Sequence, residues 1–268
     1  MLPGAPIAAG RTAEVFAWGD GQILKLFRAG RGVEVAAHEA EVARALYAAG
    51  VPSPSVDDLI KVDGRAGIIY ERIAGPSLLG VLMSHPLRVA AVARMMGEVH
   101  ASVHAHTIAG LPLLREVLAR RIQSVTRLPP ELRRAALDAL DALPDGEALC
   151  HGDYHPDNVL LSERGPLVID WENAAHGDSL ADVARTLLLL RASVVYVKPG
   201  MARLTRRSLI RALNALYLRR YRQLRPLDMA RLAAWDLPIT AARLAEDIKE
   251  EEGYLLARVR QLAPPSRA

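Results

Sequence analysis

The sequence predicts an α+β chain of two lobes, a small antiparallel sheet carrying one helix and then a larger, mainly helical part. Three observations predict it. The first 72 residues alternate short apolar runs with turns containing Gly and Asp. Most of the chain beyond them repeats Ala, Leu and Val at helical spacing. Between residues 149 and 169 that repeat is interrupted by a polar loop and short apolar runs. With 51% of its 268 residues hydrophobic, the chain has material for one large domain or two lobes, and aromatics at 4% make the expected core aliphatic.

Taken in order, Glu14-Val15-Phe16-Ala17-Trp18, the Gly19-Asp20-Gly21 turn and Ile23-Leu24-Lys25-Leu26-Phe27 read as a hairpin. A helix comes next over residues 33–49, because Val35, Glu39, Val42 and Leu46 share a face; Gly50, Pro52 and Pro54 stop it. Two strands flank Asp63-Gly64, the second ending at Ile68-Ile69-Tyr70. At Glu71-Arg72-Ile73-Ala74-Gly75-Pro76 the pattern changes to long helices, which divides an N-lobe, 1–72, from a C-lobe, 73–268. Helices are expected over 87–106, 113–125 and 131–143, and again from 180 almost to 264.

A formal charge of +4 invites a nucleic-acid reading, but basic and acidic residues are interleaved, and pairs such as Arg206-Arg207 and Arg219-Arg220 read as solvated helix faces. No nucleic-acid partner is expected. Cys150 is the only cysteine, so an intrachain disulfide is excluded and a reducing compartment, the cytoplasm, is expected. Met1-Leu2-Pro3-Gly4 does not read as a leader, and the greasiest run, 183–197, is broken by Arg185 and Arg191, so no membrane partner is expected either. Monomer and homodimer both fit the apolar helix faces of the tail.

The chemistry-bearing stretch is His151-Gly152-Asp153-Tyr154-His155-Pro156-Asp157-Asn158-Val159-Leu160-Leu161, continued after residues 162–166 by Leu167-Val168-Ile169-Asp170-Trp171. Pairing Leu161 with Leu167 in an antiparallel ribbon puts Asn158 opposite Asp170, with about 4.5–5.5 Å between opposite Cα atoms. An amide oxygen and a carboxylate at that separation are hard ligands that suit Mg²⁺, which completes its octahedron with waters and phosphate oxygens. Asp153, on the loop just before, is placed to accept the proton of an attacking hydroxyl. A turn held only by Asp and Asn hydrogen bonds does not require Asp170 as well. A metallophosphoesterase, which Gly152-Asp153 and His155 suggest, needs an Asn-His pair downstream, and Asn173 and Asn214 are each followed by alanine.

Histidine spacing adds a second question. His100 and His104 are four apart on one helix face, as His151 and His155 are in sequence, and both spacings suit zinc. No third ligand is evident. His100, His104 and His106 are therefore read as packing or hydrogen-bonding residues, and His155 as positioning the loop.

The set His151-x-Asp153-x-x-x-x-Asn158 with Ile169-Asp170 resembles the catalytic loop and metal-binding segment of the aminoglycoside phosphotransferase and choline kinase superfamily, which has a protein-kinase-like fold. The resemblance implies ATP as donor, a small-molecule hydroxyl as acceptor, Asp153 as catalytic base, and Asn158 and Asp170 as magnesium ligands. Asp170-Trp171-Glu172 stands where protein kinases carry Asp-Phe-Gly, so the chain departs from them there. Lys25 alternates with Ile23 and Phe27 on one strand face, where a partly desolvated ammonium needs an anion. By resemblance Lys25 matches the lysine that contacts the α- and β-phosphates, and Glu39 matches its ion-pair partner, with Glu41 the alternative.

The same resemblance places the segment Gly10-Arg11-Thr12-Ala13-Glu14-Val15 over the phosphates, with backbone N–H groups and the Thr12 hydroxyl as donors, although it holds a single glycine. It implies that backbone groups near Glu71 and Ile73 face the adenine. It also matches Asp182 to an aspartate that braces the catalytic loop, beside the simpler reading of Ser179 and Asp182 as a helix-capping pair. Asp236, Glu246, Asp247 and Glu250-Glu251-Glu252 read as a solvated helix face rather than an amine site. Trp18, Trp171 and Trp235 are far apart in sequence, which disfavours choline. The expected activity is aminoglycoside-phosphotransferase-like; the alternatives are a kinase of thiamine, homoserine, a sugar or an amino alcohol, or a non-catalytic nucleotide-binding pseudokinase.

Overall fold

Turn chemistry sets the first sheet of the computed structural model, which describes residues 4–264. Residues 1–3, on which the leader expectation partly rests, lie outside the described residues. β2 (Ala13–Trp18) and β3 (Gln22–Phe27) form one hairpin, and β4 (Val56–Val62) and β5 (Arg65–Glu71) another. Asp63 and Gly64 close the second with φ of 49° and 79°, the pair of left-handed residues that a two-residue hairpin needs to match the strand twist. With the short β1 (Ala8–Ala9), the sheet runs β1-β2-β3-β5-β4 and is antiparallel throughout.

Two apolar clusters fix the sheet. Phe16, Leu24, Leu26, Val62 and Ile69 form one, and Phe27, Ala66 and Ile68 pack with Ala36 and Ala40 of α1 (Val33–Ala48) in the other. Glu39, Val42 and Leu46 are buried along α1 as expected, but Val35 is 40% exposed. The buried arc is rotated toward Ala36, Ala40 and Ala43, whose small side chains let the helix lie close to the strands and leave Val35 at the edge of its first turn.

The chain divides into two compact units, the first made of Met1–Leu78 and Asp157–Glu172, the second of Leu79–Pro156 and Asn173–Ala268. The later segment of the first unit is a hairpin, β7 (Val159–Ser162) with β8 (Gly165–Val168). Backbone bonds tie it in, from Leu161 N–H to Pro76 O (3.0 Å) and from Val168 N–H to Pro52 O (2.7 Å). Gly75 lies so close that a Cβ there would stand 1.9 Å from Leu161 O, which accounts for the glycine.

The register differs by one from expectation. Leu161 pairs with Pro166 and Leu160 with Leu167, because Gly165 adopts φ 103° and closes a two-residue turn directly against Ser162. Ile169 N–H then donates to Asn158 O at 3.0 Å, so Asn158 lies opposite Ile169 rather than Asp170.

In the second unit α3 (Val89–Val103) packs along α7 (Met201–Leu224), with Gly97 giving the close approach: a Cβ there would stand 2.9 Å from the Arg220 Cβ. α6 (Ser179–Ala192) is buried on nearly every face, as a central helix must be. α7, α8 (Met229–Ala234) and α9 (Asp236–Arg243) pack against it, and α4 (Leu114–Ser124), α5 (Pro130–Asp141) and α10 (Lys249–Leu262) pack on α9 in turn, with the short α2 (Leu78–Ser84) earlier in the chain. β6 (Ala148–Cys150) and β9 (Ala175–Gly177) form a ladder that the sequence patterns did not reveal, since each is only three residues long. No helix among the described residues is long and apolar enough to cross a membrane.

Candidate active site

Within the first unit Lys25 is the centre of charge. Antiparallel register puts it opposite Val15 and Ile68. Its Nζ donates to Glu39 Oε1 at 2.7 Å and to Asp170 Oδ1 at 2.9 Å. Burial works against the ammonium, but the two carboxylates outweigh it and hold the group protonated, well above the usual lysine range. Tyr70 also donates to Glu39 Oε1 (3.0 Å), and burial beside that carboxylate pushes its phenol well above its ordinary value. Tyr70 was not singled out from sequence. It stands two residues after Ile68 on β5, so knowledge of the register, rather than of the sequence, would place it on the face of Lys25.

Asp170 is not presented by the ladder. It comes after the last bonded position and takes φ 65°, a left-handed conformation that aspartate tolerates better than most residues, leaving its side chain 43% exposed. Asn158 ends a short 3-10 turn at Pro156–Asn158 and is buried. The main chains of Asn158 and Ile169 are bonded, so Asn158 and Asp170 come from neighbouring positions of one ribbon.

Other first-unit residues make local contacts. Gly10 N–H donates to Ala13 O (2.9 Å), and Gly10 O accepts from the Arg28 guanidinium (3.0 and 3.1 Å), so this turn is held by its own bonds; Thr12 lies in it, half-buried. Glu71 N–H donates to Ser55 O (3.0 Å), and its carboxylate accepts from Arg164 at 2.5 and 2.6 Å. Ile73 lies just beyond, in irregular backbone.

In the second unit the loop after β6 is braced from below by one carboxylate. Asp182, fully buried on α6, accepts His151 N–H on Oδ2 (2.6 Å) and Gly152 N–H on Oδ1 (2.9 Å). His100 Nε2 and His104 Nε2 also face Oδ2, at 3.1 and 3.3 Å, while their Nδ1 atoms meet Tyr217 OH and Tyr221 OH at 2.7 Å each. The arrangement is consistent if each phenol donates to Nδ1 and each Nε2–H donates to the carboxylate, which makes both rings neutral donors. Burial and then His104 push the His100 pKa down to about 3, against the pull of Asp182. Asp182 is itself held well below the carboxylate range: burial raises it, and the two histidines outweigh burial.

Sequence spacing showed two histidines without a third ligand; the fold adds Asp182 to them, with all three ligand atoms within 4.8 Å of one another. Oδ2 is already engaged by three donors, so hydrogen bonding accounts for the cluster without a metal. The cap of α6 is Asp178 rather than Ser179: its carboxylate accepts Leu180 N–H (3.0 Å) on one oxygen and Trp235 Nε1–H (2.9 Å) on the other. Asp182 is thereby free of the capping role and turned toward the loop.

Asp153 stands where the loop passes its brace. Its N–H donates to His151 Nδ1 (3.1 Å), Arg185 Nη2 lies 3.4 Å from Oδ1, and His155 Nε2 lies 3.6 Å from Oδ2. Burial raises the carboxyl pKa, but His155 and the Arg185 charge win and hold it well below the usual carboxylate range. Arg185, read in the sequence only as a break in an apolar run, also donates to Gly152 O (3.1 Å) and pairs with Glu246. Its signal was its position, three residues after Asp182 and therefore on the same helix face.

Of the acids of the helical tail, Asp247 and Glu250 are exposed as a solvated face requires, whereas Asp236, Glu246 and Glu251 are drawn inward. Glu246 is held by Arg185 and by Arg243 (2.5 Å), Glu251 is buried against Arg243 (2.8 and 3.0 Å), and Asp236 is held by Arg258. Arg185–Glu246 and Arg258–Asp236 are matches between distant residues that helical periodicity does not encode, whereas Arg243 reaches Glu246 and Glu251 across a bend of the chain only three and eight residues long. Arg121 adds a further cation beside Glu246 (4.0 Å) and donates to Asn173 Oδ1 (2.6 Å).

Gly152 has φ 74°, and a Cβ would stand 2.6 Å from Asn173 O. Gly152→Ala is expected to cost about 2–4 kcal/mol, combining a left-handed alanine with a backbone collision, and to weaken the grip of Asp182 on the loop. A urea melt of the variant checks this; a midpoint equal to the parent's would count against so tight a packing.

A model of the phosphotransferase enzyme family (APH) matches residues 4–227. Among solved structures the chain is similar to an aminoglycoside-3'-phosphotransferase of type VIII, at 22% identity and TM-score 0.63 over 89% of this chain and 91% of that one. It is also similar to choline kinase from Cryptosporidium parvum Iowa II, at 17% identity and TM-score 0.55 over 96% and 87%. A macrolide 2'-phosphotransferase from Brachybacterium faecium gives 22% identity and TM-score 0.55 over 97% and 91%. Among curated proteins, mouse acyl-CoA dehydrogenase family member 10 is 27% identical over an alignment of 179 residues, with 56% of this chain and only 16% of that far longer protein covered.

Proposed function

The chain belongs to the phosphotransferase enzyme family, and from that premise we propose that it is a small-molecule kinase that moves the γ-phosphoryl group of ATP, with Mg²⁺, to a hydroxyl of a small molecule. The observation that carries the reading is the triad Glu39–Lys25–Asp170, an ammonium fixed between two carboxylates at 2.7 and 2.9 Å. A desolvated, permanently charged lysine so held presents a donor to phosphate oxygens without further ordering. Aminoglycoside phosphotransferases of similar fold have been solved with ADP and streptomycin and with ATP and streptomycin, which supports nucleotide use here.

Asn158 and Asp170 fit a magnesium ion by the chemistry of their donors, oxygen atoms only, one of them anionic, from adjacent positions of one ribbon. When bound, the ion would neutralise charge on the β- and γ-phosphates. Gly10 and Thr12 are assigned to the phosphate-covering turn, and the backbone of Glu71 and Ile73 to the adenine. Asp153, five residues before Asn158, is assigned the acceptor. Its carboxylate orients the hydroxyl and takes its proton as the acceptor oxygen bonds to γ-phosphorus and the bond to the ADP oxygen breaks. His151, His155 and Asp182 position that carboxylate. Cys150, buried with its thiol pushed well up by burial, accords with a reducing compartment such as the cytoplasm.

The test is acceptor-dependent ADP release. With a panel of aminoglycosides, sugars, amino alcohols and vitamins, at least one hydroxyl compound is expected to stimulate ATP consumption, and chelation by EDTA is expected to abolish the stimulation. Nucleotide binding without stimulation by any of them would favour the non-catalytic reading instead.

A further inference from the structure

A cavity of about 860 Å³ opens in the helical unit between the end of α6, α7 and α10. It has the size of a ligand site. Arg191, Arg203, Arg207, Arg211 and Arg258 line it, and among the described residues no carboxylate does. One acid behind the wall, Asp236, is shared by Arg191 (3.6 Å) and Arg258. Among the described residues no ion pair engages Arg203, Arg207 or Arg211, so most of the positive charge has no counter-charge within the protein.

These three arginines are four residues apart along α7, a spacing that stacks like charges on one helix face. Such a stripe is self-repelling, and the facing guanidinium groups of α6 and α10 add to the repulsion. A bound anion leaves the arginine–arginine terms in place and offsets them with an attraction to each guanidinium. The remaining wall is apolar, with Val194, Val195, Leu204 and Ile210, and the Asn214 amide oxygen is buried there without a partner among the described residues.

Guanidinium forks fit phosphate oxygens in pairs, and the apolar wall has nothing to offer an inorganic ion. We propose that this cavity binds a small organic phosphate, its anionic groups held by the arginines of α6, α7 and α10 and its apolar portion lying against Val194, Val195, Leu204 and Ile210. Arg207 is exposed, as the sequence reading of a solvated helix face has it, and in this proposal the same side chain also serves the ligand wall. A polycationic amine is the opposite of what the cavity accepts.

The experiment is calorimetric titration of the whole protein in EDTA, with hexyl phosphate, methyl phosphate, citrate and a single-stranded oligonucleotide as probes. Hexyl phosphate is expected to bind at one site, at least tenfold tighter than methyl phosphate and more weakly as salt rises. Arg207→Ala/Arg211→Ala, which removes exposed side chains, is expected to weaken it at least tenfold with no change in melting temperature. Lys25→Ala is expected to leave it unchanged, which separates this site from the nucleotide site. Loss of binding in Lys25→Ala with none in the double variant would overturn the proposal. So would equal affinity for the two phosphates, tighter binding of citrate, or oligonucleotide binding that also needs Arg219 and Arg220.

Discussion

Asp153→Asn is expected to lower acceptor-stimulated ADP release by about 10²–10⁴-fold, the range that a positioned general base supplies. The amide keeps the size of the side chain and its place beside Arg185 and His155, so the loss reports proton acceptance and orientation rather than packing. Thermal stabilisation by ATP should persist, because the assigned nucleotide contacts lie on Lys25 and Asp170. The parent carboxyl is held so low that it is ionised at any working pH, and its titration should put no acid limb on the rate above pH 5. Activity within tenfold of the parent would sink the assignment of the base.

Asp182→Asn is expected to be the most damaging single change to stability, at about 3–5 kcal/mol or a fall of roughly 10 °C in melting temperature. The carboxylate accepts donors on both oxygens, two ring N–H groups and His151 N–H on Oδ2 and Gly152 N–H on Oδ1. An amide turned either way sets its NH₂ against a buried donor, and no second rotamer relieves it. Differential scanning calorimetry reads the fall directly; a decrease under 2 °C would show that the loop stands without this brace.

The same cluster fixes how stability changes with pH. The unfolded chain protonates the His100 ring below about 6.5, whereas the folded chain does so only near 3. In that window the folded state binds fewer protons, so stability falls as pH drops from 6.5 toward 3. Asp182, whose folded pKa is depressed, acts in the same direction further down: its contribution is present above the unfolded carboxylate value and is lost as pH falls through the folded one. Melting temperatures between pH 7.5 and 4.5 should therefore decline in the parent and decline less in His100→Gln; equal slopes would refute the buried neutral imidazole.

Legibility in the sequence tracks the range of the interactions. Strand alternation and a helix stripe, both local patterns, placed Lys25 and Glu39 on inward faces while the family resemblance supplied their pairing, and the loop from His151 to Asn158 was legible because its residues are contiguous. The β7–β8 register was missed by one residue because a single glycine at φ 103° set the turn, and backbone angle is not written in apolar patterning. Tyr70, Arg185 and the arginine partners of the tail acids were missed for a different reason. Tyr70, Arg185 and Arg258 make their decisive contacts with residues distant in sequence, and only the packed fold selects those partners.

The hairpin at 159–168 belongs to the first unit although half the helical unit precedes it in the chain. During synthesis, the amino-terminal sheet therefore waits for nearly a hundred further residues before its last ribbon emerges. Until then Gly75 and Pro76 face no neighbour, and a protease or chaperone meets an unfinished surface. Completion of the first unit is thus coupled in time to growth of the other, and residues 1–78 released alone would be a fragment rather than a domain.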